Sequence, residues 1–317
     1  MMRTFFGAPE TLAPASGYPT EAVVAIGNFD GVHLGHQSIL KKAQEYGKNR
    51  GLPVVVLTFN PHPTLELRPQ SPMKLLMTYV EKRIQLEKLG ADFCVEQPFN
   101  VDFAALTARQ FFDEILMSAL HARVIIVGQD FAFGRKREGN TELLKQYCEQ
   151  AGVVLDLAEP VMLDGKVVSS SLVREALSTG SLDEAAKLLG RPFFYRGEVV
   201  HGDKRGRTIG FPTANMKCEE KFPLLPGVYA TSVFWRGQSH PSVTNIGKRP
   251  TFQQENELSL IPLKIETHIL DQTFDLYGEV LEVCFHHRIR DERRFSSVDE
   301  LKAQIASDVN LAKKLLQ

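Results

Sequence analysis

Two short segments carry residue types whose spacing suits phosphate chemistry. The first, Gly27–His36, reads GNFDGVHLGH. Gly27, Gly31 and Gly35 permit tight turns and close approach of backbone to a ligand. His33 and His36 offer two imidazoles that can donate to a triphosphate and stabilise charge developing during phosphoryl transfer, with no covalent step. The second, Gly202–Asn215, reads GDKRGRTIGFPTAN. Gly202, Gly206 and Gly210 supply a loop rich in backbone donors, and Lys204, Arg205 and Arg207 add positive charge. The GxxxxGK[ST] order of a Walker loop is absent. The specific part is PTAN, where Thr213 and Asn215 place a hydroxyl and an amide oxygen two residues apart. Oxygen ligands of that kind suit Mg²⁺ shared with ATP phosphates.

The elements that must hold these segments differ in kind. Glu21–Phe29 (EAVVAIGNF), Pro53–Phe59 (PVVVLTF), Ala91–Val95, Arg123–Val127 (RVIIV) and Val153–Leu157 read as strands. The continuous apolar runs among them suit buried parallel strands. They alternate with helical patterns at His36–Asn49, Thr78–Leu89, Thr107–Leu120 and Thr141–Gln150, which predicts a doubly wound α/β sheet. The first segment then lies between a strand and a helix start, at the carboxyl edge where such folds bind ligands. After about Gly190 the pattern changes. Phe194–His201, Gly227–Trp235, Ser242–Ile246, Pro262–Ile269 and Val280–His286 predict an antiparallel sheet or small barrel. Ser297–Leu316 predicts a closing helix, with Ser297 and Glu300 in capping-box spacing and Leu301, Ile305, Val309 and Leu315 near one face. The junction falls in Leu182–Arg191, a helix ending at Gly190. Two domains result, over residues 1–187 and 188–317; the first 20 residues have no assignable role.

Composition bounds the function. The chain has 317 residues, 43% hydrophobic and 24% charged, as in ordinary globular proteins. Lys plus Arg is 37 and Asp plus Glu 38, a net charge of −1 that gives no support for sequence-independent nucleic-acid binding. Cys94, Cys148, Cys218 and Cys284 are far apart with no CxxC pair, which argues against zinc and for reduced packing residues. No apolar run reaches the ~18 residues of a membrane span, and no signal-peptide pattern opens the chain. The expectation is a cytoplasmic protein.

GNFDGVHLGH resembles the phosphate-binding signature of the nucleotidyltransferase superfamily, and its FDGVHLGH form resembles the flavin-adenylating members. TFNPHP at Thr58–Pro63, GQDFAFG at Gly128–Gly134 and SSSLVR at Ser169–Arg174 extend the resemblance. It implies that His33 and His36 contact ATP phosphates, within a pocket that includes Gly27, Phe29, Asp30, Gly31 and Gly35. It implies the same for Ser170, Ser171 and Arg174, whose guanidinium can hold a leaving pyrophosphate bidentately. Ser171 stands where the family usually has Thr, and Asp130 where many members have Asn. Asn60 and His62 are either turn residues or contacts to FMN or ATP.

GDKRGRTIGFPTAN is similar to the riboflavin kinase family, and so are GVYA (Gly227–Ala230), NIGKRPTF (Asn245–Phe252), ETHILD (Glu266–Asp271), DLYG (Asp275–Gly278) and RIRDERRF (Arg288–Phe295). This likeness runs over about residues 191–316. It implies that Thr213 and Asn215 help hold Mg²⁺ and ATP. Glu266 matches the catalytic carboxylate, which would accept the proton of the ribityl 5′-hydroxyl as that oxygen attacks the γ-phosphate. Arg290, before the closing helix, matches a flavin contact. Glu266 and His268 share a strand face opposite Ile265, Thr267 and Ile269; one strand does not tell which face lines a site. The domain order resembles the bifunctional bacterial riboflavin kinase/FAD synthetases. The implied reactions consume ATP with Mg²⁺, taking riboflavin to FMN and FMN to FAD. Competing readings are a nucleotidyltransferase with another acceptor, a kinase with an inactive first half, and a flavin carrier without turnover. A nicotinamide oxidoreductase is disfavoured because GNFDGVHLGH is not GxGxxG.

Overall fold

A computed structural model describes residues 1–7, 17–202, 206, 209–217, 222–248, 263–272 and 274–317. Lys204, Arg205, Arg207, Cys218 and residues 249–252 of NIGKRPTF lie outside the described residues. Contacts divide the chain into two compact units, Met1–Met73 with Met77–Ser170, and Lys74–Leu76 with Ser171–Gln317.

The first unit runs β1 (Arg3–Phe6), β2 (Ala22–Ile26), α1 (Leu34–Arg50), β3 (Val54–Phe59), α2 (Pro63–Leu67), α3 (Tyr79–Lys88), β4 (Phe93–Gln97), α4 (Val101–Ala105), α5 (Ala108–Gln110), β5 (Ala122–Gly128), α6 (Thr141–Ala151) and β6 (Val154–Ala158). β7 (Met162–Leu163) and β8 (Lys166–Val167) form a small antiparallel hairpin. The six-stranded sheet has the order β1-β4-β3-β2-β5-β6, and every pair in it is parallel. The strands are apolar on both sides because both sheet faces are covered. Val24, Ile26, Val55 and Leu57 join one core with Phe112 and Leu144, while Val23, Ala25, Val54 and Val56 join another with Leu40 and Leu86. The strand order reverses at β2, so the crevice between the carboxyl ends of β2 and β5 is the topological switch point.

Two details depart from the sequence reading. Arg3–Phe6, given no role above, is an edge strand paired with β4. The helix expected over Thr107–Leu120 is α5 followed by π-helical turns over Phe111–Ala119.

α7 (Ser170–Ser178) starts at the unit boundary, and α8 (Leu182–Leu189) ends on Gly190 at φ 69°, the left-handed cap expected of glycine. The rest of the second unit is β9 (Phe193–Val200), β10 (Ala214–Met216), β11 (Gly227–Trp235), β12 (Gln238–Lys248), β13 (Leu263–Ile269), β14 (Val280–Arg290) and α9 (Val298–Leu315). The strands close into a barrel, β10-β13-β12-β11-β14-β9, with antiparallel pairing throughout. Tyr229, Ile246, Ile265 and Phe285 are fully buried on its inner face. A chain of buried hydroxyls, Thr231 to Ser242 at 2.7 Å, Thr231 to Thr244 at 2.8 Å and Thr244 to Thr267 at 2.9 Å, satisfies the polar atoms there. α9 covers part of the outer face, with Ala312 and Val309 against Val228, Ala230 and Val243. Ser297 caps α9 by accepting the Glu300 N–H, while the Glu300 carboxylate accepts from Ser296, one residue earlier than a capping box requires. Leu315, expected on the packed face, is exposed.

Candidate active sites

The GNFDGVHLGH turn leaves β2 as part of the core. Phe29 (φ 49°), Gly31 (φ 83°) and Val32 (φ 44°) all take the left-handed region, and Phe29 and Val32 are fully buried. For a β-branched valine that backbone is strained and must be held from outside. Three alternate carbonyls of the turn are held by side chains: Asn28 O by Thr58 Oγ1 at 3.1 Å, Asp30 O by Ser170 Oγ at 2.9 Å and Val32 O by Gln37 Nε2 at 2.9 Å.

His33 ends the turn as the N-cap of α1, and its Nδ1 accepts the His36 N–H at 3.4 Å. In the neutral ring the proton then sits on Nε2. The two rings stack with centroids 3.7 Å apart. A Cβ at Gly35 would lie 3.1 Å from the His33 ring, tighter than packing allows without a shift. His36 Nδ1 is enclosed with no hydrogen-bond partner among the described residues. Burial, then His33, then Lys82 hold the His36 imidazole well below its ordinary pKa.

Asn60 and His62 follow β3. Asn60 Nδ2 donates to Glu96 at 3.1 Å, and Glu96 is also paired with Arg83 at 2.9 Å. His62 caps α2, with Nδ1 accepting from Thr64 N, and its own N–H donates to the Tyr79 hydroxyl. Asp130, in the loop after β5, is exposed. Phe59, Phe99, Phe103, Phe111, Phe133 and Phe131 form a continuous series of ring contacts, each pair 5.5–6.1 Å apart. These rings come from the end of β3 and from the segments after β4 and β5, a shared origin that the sequence order shows. In the second unit, Ser171 is exposed on the first turn of α7, and Arg174 Nε donates to Lys74 O at 2.7 Å.

In the barrel, PTAN runs from a loop into β10. Asn215 pairs directly with Glu266 of β13, and Glu266 with Asn245 of β12. Directly opposed residues have Cβ atoms about 5 Å apart, so three oxygen-bearing side chains stand in one row. Ile265, Thr267 and Ile269 are buried while Glu266 and His268 are partly exposed, so the Glu266 face is the outer face of the barrel. Glu266 is paired with Lys264 at 2.8 Å; two-residue spacing on one strand put Lys264 on that face, though it was not singled out. Gly202, Thr213, Asn215, Thr267, Phe274 and Tyr277 line a cleft of about 360 Å³, which takes in Asn215 of the row but not Glu266 or Asn245. A Cβ at Gly202 would collide with the Asn215 side chain. Gly206 O accepts from Phe211 N at 2.9 Å and closes the loop, and Gly210 has φ 93°. Asn215 Oδ1 is buried without a partner among the described residues.

Arg290, the expected flavin contact, is held by protein groups on the barrel. Its Nε and Nη2 reach both oxygens of Asp308 in α9 at 2.7–3.0 Å, and Nη1 donates to Asp291 O at 2.9 Å. The guanidinium clamps the closing helix onto β14.

The FAD synthetase family model matches residues 16–172, and the riboflavin kinase model matches residues 189–316. The bifunctional riboflavin kinase/FMN adenylyltransferase of Escherichia coli (strain K12) is 42% identical over 93% of this chain and 92% of its own. That of Bacillus subtilis (strain 168) is 37% identical over 91% and 90%. The chain belongs to this bifunctional family. Its activities are riboflavin kinase and FMN adenylyltransferase, both ATP-dependent transfers. A solved structure from Streptococcus pneumoniae, described as a macrolide-efflux protein, is 33% identical with a TM-score of 0.86 and covers 98% of this chain and 99% of its own. Its description names transport, whereas no described helix of this bifunctional chain is long and apolar enough to cross a membrane.

Proposed function

We propose that the adenylyltransferase occupies residues 1–187 and uses the histidine turn, and that the kinase occupies residues 188–317 and uses the Asn215–Glu266 row. For adenylylation, the anionic FMN phosphate attacks the α-phosphorus of ATP and pyrophosphate leaves. His33 and His36 donate N–H groups to the triphosphate; Ser171 and Arg174 are assigned phosphate contacts on the likeness of SSSLVR to the family's motif alone. Donors aimed at developing charge are worth most where water is excluded, which the buried, backbone-held turn supports. Gly27, Phe29, Asp30, Gly31 and Gly35 shape that turn, and Ser170 anchors it. The phenylalanine series and Asp130 flank the flavin, and Asn60 and His62 order the loop beside it.

For the kinase reaction, Glu266 accepts the 5′-hydroxyl proton of riboflavin as that oxygen attacks the γ-phosphorus. Thr213 and Asn215 fit a divalent cation, because Asn215 Oδ1 is a buried oxygen on the cleft wall with no partner among the described residues. Mg²⁺ bound there would neutralise phosphate charge during transfer. Gly202, Gly206 and Gly210 let the loop approach ATP, with Lys204 and Arg207 supplying charge. The cross-strand pairing of Asn215 with Glu266 carries this half of the reading, since it brings a metal ligand and a base to one face. Free, buried Cys94 and Cys148, their thiols pushed by burial to about 12 and about 11, support a cytoplasmic location.

The test is a time course with riboflavin, ATP and MgCl₂, resolved by chromatography. FMN is expected first and FAD after it, with both steps abolished by a chelator. A chain that modifies no flavin would remove the proposal.

A further inference from the structure

Helix α3 buries residues that its composition would send to water. Glu81, Lys82 and Gln85 are all buried, and Lys82 is only 4% exposed. An ammonium out of water is costly unless its donors are satisfied. Lys82 Nζ has three protons and three acceptors: Thr58 Oγ1 at 2.9 Å, Phe59 O at 3.3 Å and Asn28 O at 3.4 Å. Thr58 and Phe59 end β3, and Asn28 opens the histidine turn after β2. One buried cation therefore ties the carboxyl ends of β2 and β3 together. The same helix holds the TFNPHP loop through the Tyr79 hydroxyl, and the Lys82 ammonium lies 4.9 Å from the Tyr79 ring centroid.

With its donors used, Lys82 acts through the backbone it holds and through its field. The charged or titratable groups around it are Asp30 and His36 from the turn, Cys94 and Glu96 from β4, and Tyr79 and Arg83 from α3. Glu96 is answered by Arg83 and Asn60. The turn itself needs anchors, because Phe29 and Val32 sit at positive φ. Ser170 and Gln37 hold its later carbonyls, and Lys82 with Thr58 holds the first.

We propose that Lys82 is a positioning residue for FMN adenylylation: it fixes the Asn28 and Phe59 carbonyls, so that the histidine turn keeps its left-handed backbone, and it places an ammonium group beside the turn that meets the triphosphate. The inference rests on assigning adenylylation to that turn. The Lys82 charge also opposes protonation of His36, so the imidazole meets ATP neutral.

The experiment measures adenylylation of supplied FMN from about pH 5.5 to 9, with riboflavin kinase activity as an internal reference in the same preparation. Lys82→Met is expected to lower kcat for adenylylation about 10- to 100-fold. It is expected to move the acid limb of the pH profile upward, because His36 then protonates more readily, and to leave kinase activity within about twofold. A merely structural lysine would lower the rate without moving the limb. Thr58→Val keeps the charge but removes one acceptor, so a loss of about 3- to 10-fold with an unmoved limb is expected; near-UV circular dichroism checks that each variant is folded. A folded Lys82→Met with wild-type rate and limb overturns the proposal. So does a Thr58→Val variant indistinguishable from wild type, which decides the matter if Lys82→Met does not fold. His36→Ala separates the two failures: if it adenylates normally, the assignment of the turn has failed, whatever Lys82 does.

Discussion

The two candidate sites hold phosphate chemistry by opposite means. The histidine turn lies in the core of a parallel sheet, with strained backbone, stacked imidazoles and side chains gripping its carbonyls. The Asn215–Glu266 row lies on the outer face of a barrel, with Asn215 on the wall of a cleft and Glu266 partly exposed and paired to Lys264. In the first, the reacting groups are also packing groups. In the second, the inner face carries the fold and the outer face is left to chemistry. Substitutions in the turn should therefore cost both activity and stability, and substitutions in the row should cost activity alone.

The largest expected effect tests the row. Glu266→Ala should lower riboflavin phosphorylation by about 10²- to 10⁴-fold, with unchanged adenylylation of supplied FMN and an unchanged Tm. A lowered Tm would break the comparison by making Glu266 a structural group. His36→Ala comes next, with adenylylation down about 10²- to 10³-fold and kinase activity retained. Because the ring is packed against His33 and Phe29, a loss of about 1–2 kcal/mol in urea unfolding should accompany it. The Arg290–Asp308 clamp sharpens the contrast, since it is an ion pair of the barrel unit that holds a helix, although Arg290 stands only one strand over from Asn245, across Val228. Asp308→Ala should cost about 2–4 kcal/mol by the same measurement, because it strands a partly buried guanidinium. The smallest effect is a pH slope. The folded pKa of His36 is depressed, so the unfolded chain takes up that proton first. Its contribution is intact above about pH 6.5 and declines as pH falls toward the folded value, at no more than about 1.4 kcal/mol per pH unit. His36→Asn should flatten that part of the stability profile.

Much of this was legible in the residues. PVVVLTF and RVIIV declared buried parallel strands, because only a sheet covered on both faces makes every position apolar. The histidine turn and PTAN were legible because Gly, His, Thr and Asn at those spacings have few structural uses together. Arg3–Phe6 was not, since four residues of an edge strand carry no period. The outward direction of Glu266 was not, because alternation gives two faces without saying which is inside. Arg290 drew attention as a charge near a motif, but its partner Asp308 stands 18 residues away in sequence. Lys82 was hidden most completely: a lysine in a helix reads as solvent-exposed, and only the carbonyls of Asn28 and Phe59, brought together by strand pairing, give it a reason to be buried.

The central claim, two independent sites in one chain, is tested most directly by mixing single-site variants. Glu266→Ala alone, given riboflavin and ATP, should make no FMN; His36→Ala alone should accumulate FMN without FAD. An equimolar mixture of the two should make FAD, because FMN released by one chain is the substrate of the other. If either substitution abolishes both reactions, or the mixture yields no FAD from the accumulated FMN, the division of chemistry between the turn and the row is wrong.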